Sequence, residues 1–207
     1  MAHLEIGGIY STQWDERPYR IIGFDEVEVF YDCRNLHDNS WTFSGNFKKK
    51  CYFFRISRAF FSANAKQHGH QPLSVEETKF FRPDLPMRIG RFKELCWNAF
   101  DQKNVQALRA YLEASVESEV LHQSMQSQEI IVLPYGQKGG LLKGEKLTAD
   151  NQEFFTLDEL VWKSKLVQEA VNANTSSGIG LYRMGFEKGL PSYYIGEYVD
   201  RAGLFQE

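Results

Sequence analysis

The sequence has few cysteines and no long apolar run. Its 207 residues include three cysteines, Cys33, Cys51 and Cys96, and no Cys-x-x-Cys pair. This pattern predicts reduced thiols in a cytoplasmic protein, with one disulfide as the alternative outside the cell. No stretch approaches the ~18 apolar residues of a membrane span, and the first ten residues lack the basic and apolar regions of a secretory signal. We therefore expect no contact with a membrane.

The motifs of several enzyme classes are also missing. The sequence has no nucleophile elbow, no Gly-x-Gly-x-x-Gly fingerprint and no His-Glu-x-x-His pair, so hydrolase, dinucleotide-binding and metalloprotease functions have no support. Residues 139–148 resemble a phosphate-binding loop, but Glu145 occupies the lysine position and would repel phosphate. Asp84 with Asp101-Gln102-Lys103 matches the letters of a PD-(D/E)xK nuclease, yet Asp101 lies between two helical patterns as an N-cap. We predict no catalytic residues.

His68 and His70 have a spacing that occurs at metal sites. Two imidazoles two residues apart can share one cation, with Cys33 or Cys51 as a further ligand. The surrounding segment QHGHQP looks like an exposed linker. We therefore predict a plain loop here, no metal site and no cofactor.

Charge is distributed unevenly along the chain, although the net charge is only −3. Residues 1–42 carry −5, residues 43–103 carry +7, and residues 104–207 carry −5. The basic middle begins with a stretch, residues 43–66, in which Lys and Arg are interleaved with Phe and Tyr. Such a surface suits single-stranded nucleic acid, because cations meet phosphates while rings stack on bases, worth ~1–3 kcal/mol per base.

The leading functional prediction is a non-catalytic binding protein that contacts nucleic acid, another polyanion or an acidic protein. The candidate residues are Lys48, Lys49, Lys50, Tyr52, Phe53, Arg55 and Arg58. In the alternative interpretation, the aromatic side chains fill a small barrel and the lysines form a solvated turn. The oligomeric state stays open.

A second hypothesis is a protein–protein interaction or inhibitor module, in which acidic ends and exposed aromatic side chains form the contact surface. Its candidate residues are Trp14, Tyr19, Trp41, Tyr193 and Tyr198. A third hypothesis is an enzyme, such as a nuclease, whose active-site residues converge from distant segments.

The patterning predicts an α+β fold. In residues 1–66, runs of β-branched and aromatic residues alternate with short turns, which indicates an antiparallel β-meander or a small SH3- or Tudor-like barrel. Residues 67–128 are predicted to be helical, and residues 129–207 to contain a strand, a helix and a terminal β-hairpin. Because no long linker separates them, we expect these segments to pack as one globular unit.

Helix signals are clear at several positions. Ser74–Glu77 and Thr156–Glu159 each have the sequence of a capping box, so we expect a helix to begin at each. The second of these helices is predicted to extend to about Asn174. Helical patterns also cover residues 87–100 and 104–125.

The triplets Gly180-Leu181-Tyr182 and Tyr194-Ile195-Gly196 resemble the paired triplets of GIY-YIG nucleases. That family also has a helix bearing an arginine and, later, a metal-binding glutamate. Eleven residues follow Gly196, and we expect them to be too few for both. A similar pattern occurs in residues 8–23, with Gly-Ile-Tyr and then Ile-Ile-Gly. The repetition predicts two structural hairpins, with glycine at a bulge or bend beside an aromatic ring.

Overall fold

The computed structural model describes residues 4–43, 50–92, 95, 102–115, 118–138, 140–171 and 179–196. The chain divides into two compact units: unit 1 comprises Met1–Met87 with Gly185–Gly189, and unit 2 comprises Arg88–Met184 with Leu190–Glu207. The predicted α+β class is confirmed, since helices and mainly antiparallel sheets occur together. The sequence suggested divisions near residues 66 and 128, whereas the chain leaves unit 1 at Met87.

Unit 1 is built on one five-stranded antiparallel sheet. Its elements are β1 (Gly8–Thr12), β2 (Asp15–Phe24), β3 (Glu28–Cys33), β4 (Cys51–Tyr52), β5 (Phe54–Ser57), α1 (Arg58–Asn64), β6 (Ala65–His70) and α2 (Val75–Phe81). The sheet order is β5-β3-β2-β1-β6. The predicted meander is therefore confirmed. The described strands leave β5 and β6 as open edges, so they form a sheet and not a closed barrel.

Both faces of this sheet carry buried apolar residues. Neighbouring residues of a strand point to opposite sides, so adjacent apolar residues enter different clusters. Ile21 and Val29 belong to one buried cluster, which Phe61 of α1 covers. Ile22 and Phe30 belong to a second cluster on the other side. That second cluster also contains the buried rings Phe43, Phe53, Phe81 and Phe186. The two helices thus cover opposite faces of the sheet.

The predicted capping box at the start of α2 is confirmed. The Ser74 hydroxyl accepts a hydrogen bond from the Glu77 amide at 3.1 Å, and the Glu77 carboxylate accepts one from the Ser74 amide at 2.8 Å. The expected linker at 67–70 is wrong, however, because these residues lie in β6 and pair with β1. Side chains along β6 are mostly exposed, which explains why the segment has the composition of a loop.

Unit 2 contains a mixed sheet and the longer helices. Its elements are β7 (Arg88–Phe92), α3 (Val105–Ser115), α4 (Ser118–Leu121), β8 (Ser124–Met125), β9 (Glu129–Leu133), β10 (Glu145–Thr148), β11 (Phe155–Thr156), α5 (Leu157–Glu169), β12 (Ile179–Glu187) and β13 (Leu190–Gly196). The strand order is β10-β9-β13-β12, and β7 also pairs with β12. Strands β9 and β13 are parallel. The predicted terminal hairpin is formed by β12 and β13.

In unit 2, one predicted helix is wrong, and one predicted helix start is confirmed without its capping hydrogen bond. Residues 88–92, predicted to be helical, form β7, because Ile89 pairs with Leu181 of β12 and this pairing overrides the helical pattern. Thr156 does precede α5, but its side chain makes no capping hydrogen bond. The Glu159 carboxylate instead accepts from the Asp150 amide at 2.7 Å. The predicted extension of α5 to about Asn174 is wrong: the helix ends at Glu169 with Ala170 as its C-cap, and residues 172–174 lie outside the described part.

The end of the β12–β13 hairpin belongs to unit 1. Gly185 and Phe186 pair with β4, and the Phe186 ring lies 6.1 Å from the Phe53 ring between centroids. Lys188 and Gly189 link the two strands with φ angles of 55° and 78°. Positive φ at both positions is the geometry of a type I′ turn, which fits the twist of an antiparallel pair.

Candidate functional site

The basic-aromatic stretch does not form the exposed platform that the sequence suggested. Lys48 and Lys49 lie outside the described residues. Phe53 is only 6% exposed and packs against Phe81 and Phe186 in the core of unit 1. The candidate role of Phe53 in stacking on a base therefore needs correction: its ring is core, because this position faces α2 and the end of β12.

The partly exposed ring of Phe54 is already stacked on its neighbours. Its centroid lies 5.7 Å from that of Tyr31 and 5.3 Å from that of Phe43, with interplanar angles of 27° and 24°. A base stacks on the face of a ring. Two side chains thus already stack with Phe54, which stays 39% exposed.

Two of the candidate cations have partners within unit 1. The Lys50 ammonium lies 3.4 Å from the Glu187 carboxylate and 4.8 Å from the centre of the Tyr52 ring. The Arg58 guanidinium donates to the Asp25 carbonyl at 2.7 Å. Arg55 is exposed. These contacts use part of the positive charge that the sequence assigned to a polyanion.

The five aromatic candidates for a protein contact separate sharply. Trp14 is 72% exposed, whereas Tyr19 and Trp41 are each 6% exposed and Tyr193 is fully buried. Tyr198 lies outside the described residues. The expected exposure of Tyr19, Trp41 and Tyr193 is therefore wrong: each alternates inward on a strand or packs on a buried arginine. Sequence alone does not distinguish an inward from an outward ring at such positions.

The exposed indole of Trp14 lies at the tip of the hairpin between β1 and β2, where several hydrogen bonds are formed. The Gln13 side-chain amide donates to Asn64 of α1 at 2.9 Å. The Asp15 amide donates to the Thr12 hydroxyl at 3.2 Å. The Arg17 guanidinium donates three hydrogen bonds to the Asp15 carboxylate, through Nε at 2.9 and 3.0 Å and through Nη2 at 2.5 Å. This contact holds the pKa of that carboxyl well below its usual value. The backbone that carries Trp14 is thus fixed on both sides.

Phe60, a second exposed aromatic residue, is connected to this tip through the side chain of Asn64. The Asn64 amide group accepts from Gln13 and donates to the carbonyl of Phe60 at 2.8 Å. The Phe60 side chain is 42% exposed. We call Gln13, Trp14, Phe60 and Asn64 the hairpin-tip surface.

An ionic cluster, which was not predicted from the sequence, is buried beneath α2. Arg20 and Asp32 are fully buried and Glu77 is 8% exposed. The Arg20 guanidinium bonds to the Glu77 carboxylate through both terminal nitrogens and lies 3.8 Å from the Asp32 carboxylate. The Trp41 ring covers the guanidinium at 4.6 Å. We call Arg20, Asp32 and Glu77 the ionic cluster. A signal for it exists in the sequence, since Arg20 directly precedes Ile21-Ile22 in β2 and Asp32 lies between Tyr31 and Cys33 in β3.

The two Gly-x-Tyr triplets have a structural explanation. A Cβ atom on Gly8 would lie 2.6 Å from the Tyr10 ring, and one on Gly180 would lie 2.9 Å from the Tyr182 ring. In each strand the tyrosine ring folds back over the glycine two residues earlier, and each glycine adjoins a register shift. Glycine is required there because the ring occupies the space of a side chain. The two Gly-x-Tyr motifs therefore reflect the local packing of a tyrosine ring on a glycine.

The described residues contain neither a metal-binding cluster nor a helix able to span a membrane. In the described residues, no group of three or more His, Cys, Asp or Glu side chains is placed to hold a metal ion. His68 contacts the Ser11 hydroxyl at 2.5 Å, and His70 contacts the Ile6 carbonyl at 3.1 Å. No helix in the described ranges is long and apolar enough to cross a membrane.

The comparisons with known proteins add no assignment. No protein-family model, no curated protein and no solved structure matches the chain.

Proposed function

We propose that this protein is a non-catalytic protein-interaction module and that Trp14 is the anchor of its contact surface. The observation that carries the proposal is the 72% exposure of a tryptophan on a hairpin tip that hydrogen bonds hold in place. Leaving an indole in water is unfavourable, so a partner that covers it gains apolar burial.

The chemistry of the tip fits a hot spot of a protein–protein interface. Binding energy at such interfaces concentrates in a few residues, among which tryptophan and arginine are enriched. Gln13 and Asp15, on either side of Trp14, already form hydrogen bonds. Little backbone conformational entropy would therefore be lost on binding. The partner is expected to offer an apolar pocket with hydrogen-bonding groups at its rim.

A photo-crosslinking amino acid at position 14 tests this proposal in the cells from which the protein comes. Position 36 provides the matched control, because Leu36 is 74% exposed in the same unit. We expect one dominant protein adduct at position 14 and none at position 36. With the captured protein purified, Trp14→Ala should raise the Kd at least about 30-fold, as for a hot spot worth about 2 kcal/mol. Equal affinity of Trp14→Ala and the parent protein would refute the proposal.

Polyanion binding is the second candidate, and the +7 charge of residues 43–103 favours it. Fluorescence anisotropy with labelled single- and double-stranded DNA and RNA, from about 50 to about 300 mM salt, tests it. A log–log salt slope of roughly −2 to −4, flattened by Lys48→Glu/Lys49→Glu/Lys50→Glu, would assign the site to this segment. Absence of binding at about 50 mM salt would remove nucleic acid from consideration.

A further inference from the structure

The ionic cluster contains one more negative group than positive groups. Arg20 carries one charge, and the carboxyls of Asp32 and Glu77 both lie beside it. With both carboxyls ionised, the cluster would hold a net negative charge in a buried site, which is strongly unfavourable. The two carboxyls differ in their partners, so the site is asymmetric.

Glu77 is the better solvated and better bonded of the two. Its carboxylate receives hydrogen bonds from Arg20 and from the Ser74 amide. Asp32 has longer contacts: 3.8 Å to Arg20, and 3.3 and 3.4 Å to the Phe43 amide. Asp32 is therefore the carboxyl that retains a proton most readily.

The groups that face Asp32 come from each element packed against it. Arg20 lies on β2, and Glu77 lies on α2. Cys51 of β4 is close enough for the Asp32 charge to raise the pKa of its thiol, although burial of the thiol is the larger cause. On β3 itself, Asp32 receives a backbone hydrogen bond from Cys33.

We propose that Asp32 is a proton-operated switch for the N-terminus of α2. With Asp32 protonated, Arg20 pairs with Glu77 and the capping box stays closed. Ionised Asp32 competes for the same guanidinium and weakens the Arg20–Glu77 bond. Because Glu77 also caps the Ser74 amide, this competition loosens the first turn of α2.

The pKa of Asp32 supports a switch that operates near neutral pH. Burial raises the pKa of Asp32 to about 7, against the lowering effects of Arg20 and of the backbone amides. The Arg20 partnership holds the pKa of Glu77 below its ordinary value even though burial acts in the opposite direction. Glu77 is then ionised throughout the range in which Asp32 titrates.

Two measurements on the full-length protein test the switch. NMR of carboxyl-labelled aspartate follows the titration of Asp32 directly, and hydrogen exchange reports the protection of the α2 amides at about pH 5.5 and about pH 8.5. After correction for the intrinsic effect of pH on exchange, we expect the protection of residues 75–81 to fall about tenfold between the two pH values. The midpoint should coincide with that of Asp32.

Two variants complete the test. Asp32→Asn mimics the protonated group and should keep α2 protected at both pH values. Glu16→Gln removes an exposed carboxylate on the same strand as Arg20 and should leave the change intact. Titration of Asp32 below about pH 5, or α2 protection that does not change with pH in the parent protein, would overturn the proposal. Those two results are read on the parent protein, so they stand even if Asp32→Asn misfolds.

Discussion

Two hairpins of the molecule, β1–β2 and β12–β13, share a sequence pattern but differ in the residues that pack around it. The first strand of each contains Gly-x-Tyr, and in both the tyrosine ring covers the glycine. In the first, the Tyr10 ring meets Phe61 edge-on at 5.3 Å. In the second, the Tyr182 ring stacks with Tyr194 at 5.2 Å. The shared part of the pattern is therefore the local packing of one ring on one glycine.

The second triplets show where the likeness ends. A Cβ on Gly196 would lie 2.9 Å from the Tyr182 ring, so two glycines make room for one tyrosine in the β12–β13 hairpin. Gly23, at the corresponding place in the β1–β2 hairpin, instead makes room for the end of the Met87 side chain. Glycines at similar positions in the two hairpins thus make room for different side chains.

Each hairpin also buries an arginine completely, with different surroundings. Arg20 is held among the carboxyls of the ionic cluster. Arg183 lies 5.3 Å from the centre of the Tyr193 ring and 3.4 Å from its hydroxyl. The difference matters because a carboxyl can change its charge near neutral pH when buried, and this makes the first site sensitive to protons.

The largest expected effect comes from removing the main partner of Arg20. Glu77→Gln should lower the free energy of unfolding by about 3 kcal/mol, because a buried guanidinium loses its charged partner. The pKa of Asp32 should also fall, since Arg20 becomes free to pair with it. Chemical denaturation and NMR titration measure the two effects.

Glu76→Gln is the control for this change, because Glu76 is the exposed neighbour in the same helical turn. It should alter the free energy of unfolding by no more than about 0.5 kcal/mol. Equal losses in the two variants would mean that the ionic cluster does not stabilise α2.

Filling the space beneath the tyrosine rings should have the next largest effect. Gly8→Ala and Gly180→Ala should each lower the free energy of unfolding by about 2 kcal/mol, because the new methyl group overlaps a buried ring. Thermal denaturation measures both. Gly69→Ala serves as the control, since nothing lies within 4 Å of its Cβ position.

A double-mutant cycle sharpens this point. If the ring is the cause, adding Gly180→Ala to Tyr182→Ala should destabilise the protein no further. A full additional loss in the double variant would show that glycine is needed there for another reason.

The dependence of stability on pH should distinguish the two arginine sites. The folded protein keeps a proton on Asp32 up to about pH 7, whereas the unfolded chain releases it near the ordinary aspartate value. The Asp32 contribution is therefore fully present at low pH and is lost as the pH rises towards 7, at up to about 1.4 kcal/mol per pH unit. Denaturation at a series of pH values measures it, and Asp32→Asn should remove this component. An unchanged slope in Asp32→Asn would assign the dependence to other groups.

The smallest effect on stability is expected at the tip of the first hairpin. Trp14→Ala should change the free energy of unfolding by no more than about 0.5 kcal/mol, because the side chain has few contacts to lose. Trp41→Ala, by contrast, should lower it by about 3 kcal/mol, because that ring is buried. A large loss for Trp14→Ala in urea denaturation would show that the tip is part of the scaffold.

Features that depend on residues close together in the sequence were predictable from it. The meander, the hairpins and the capping box of α2 depend on turn residues, alternation and one Ser–Glu spacing, all of which are local. Strand β7 was not predictable, because pairing with β12, about 90 residues away in the chain, decides its conformation. The role of the Thr156 hydroxyl was also misassigned, since it bonds to Asp158, two residues away, and not to the helix amides.

The candidate site was only partly predictable. Trp14 was named as an exposed aromatic and is exposed, but Tyr19 and Trp41 were named with it and are buried. An aromatic residue on a strand has no local signal for which face is covered, because that depends on which helix packs there. The ionic cluster was missed because its members come from three separate elements, with Arg20 and Glu77 separated by 57 positions.

The division of β12 between the two units has a consequence for any attempt to dissect the protein. A gene shortened to residues 1–87 would encode unit 1 without Phe186 and without the strand residues that pair with β4. Such a fragment should expose the apolar surface that Phe186 covers and should bind a peptide of residues 179–196 added in trans. Limited proteolysis should likewise fail to release unit 1 by a single cut, because two stretches of the chain, far apart in sequence, complete it.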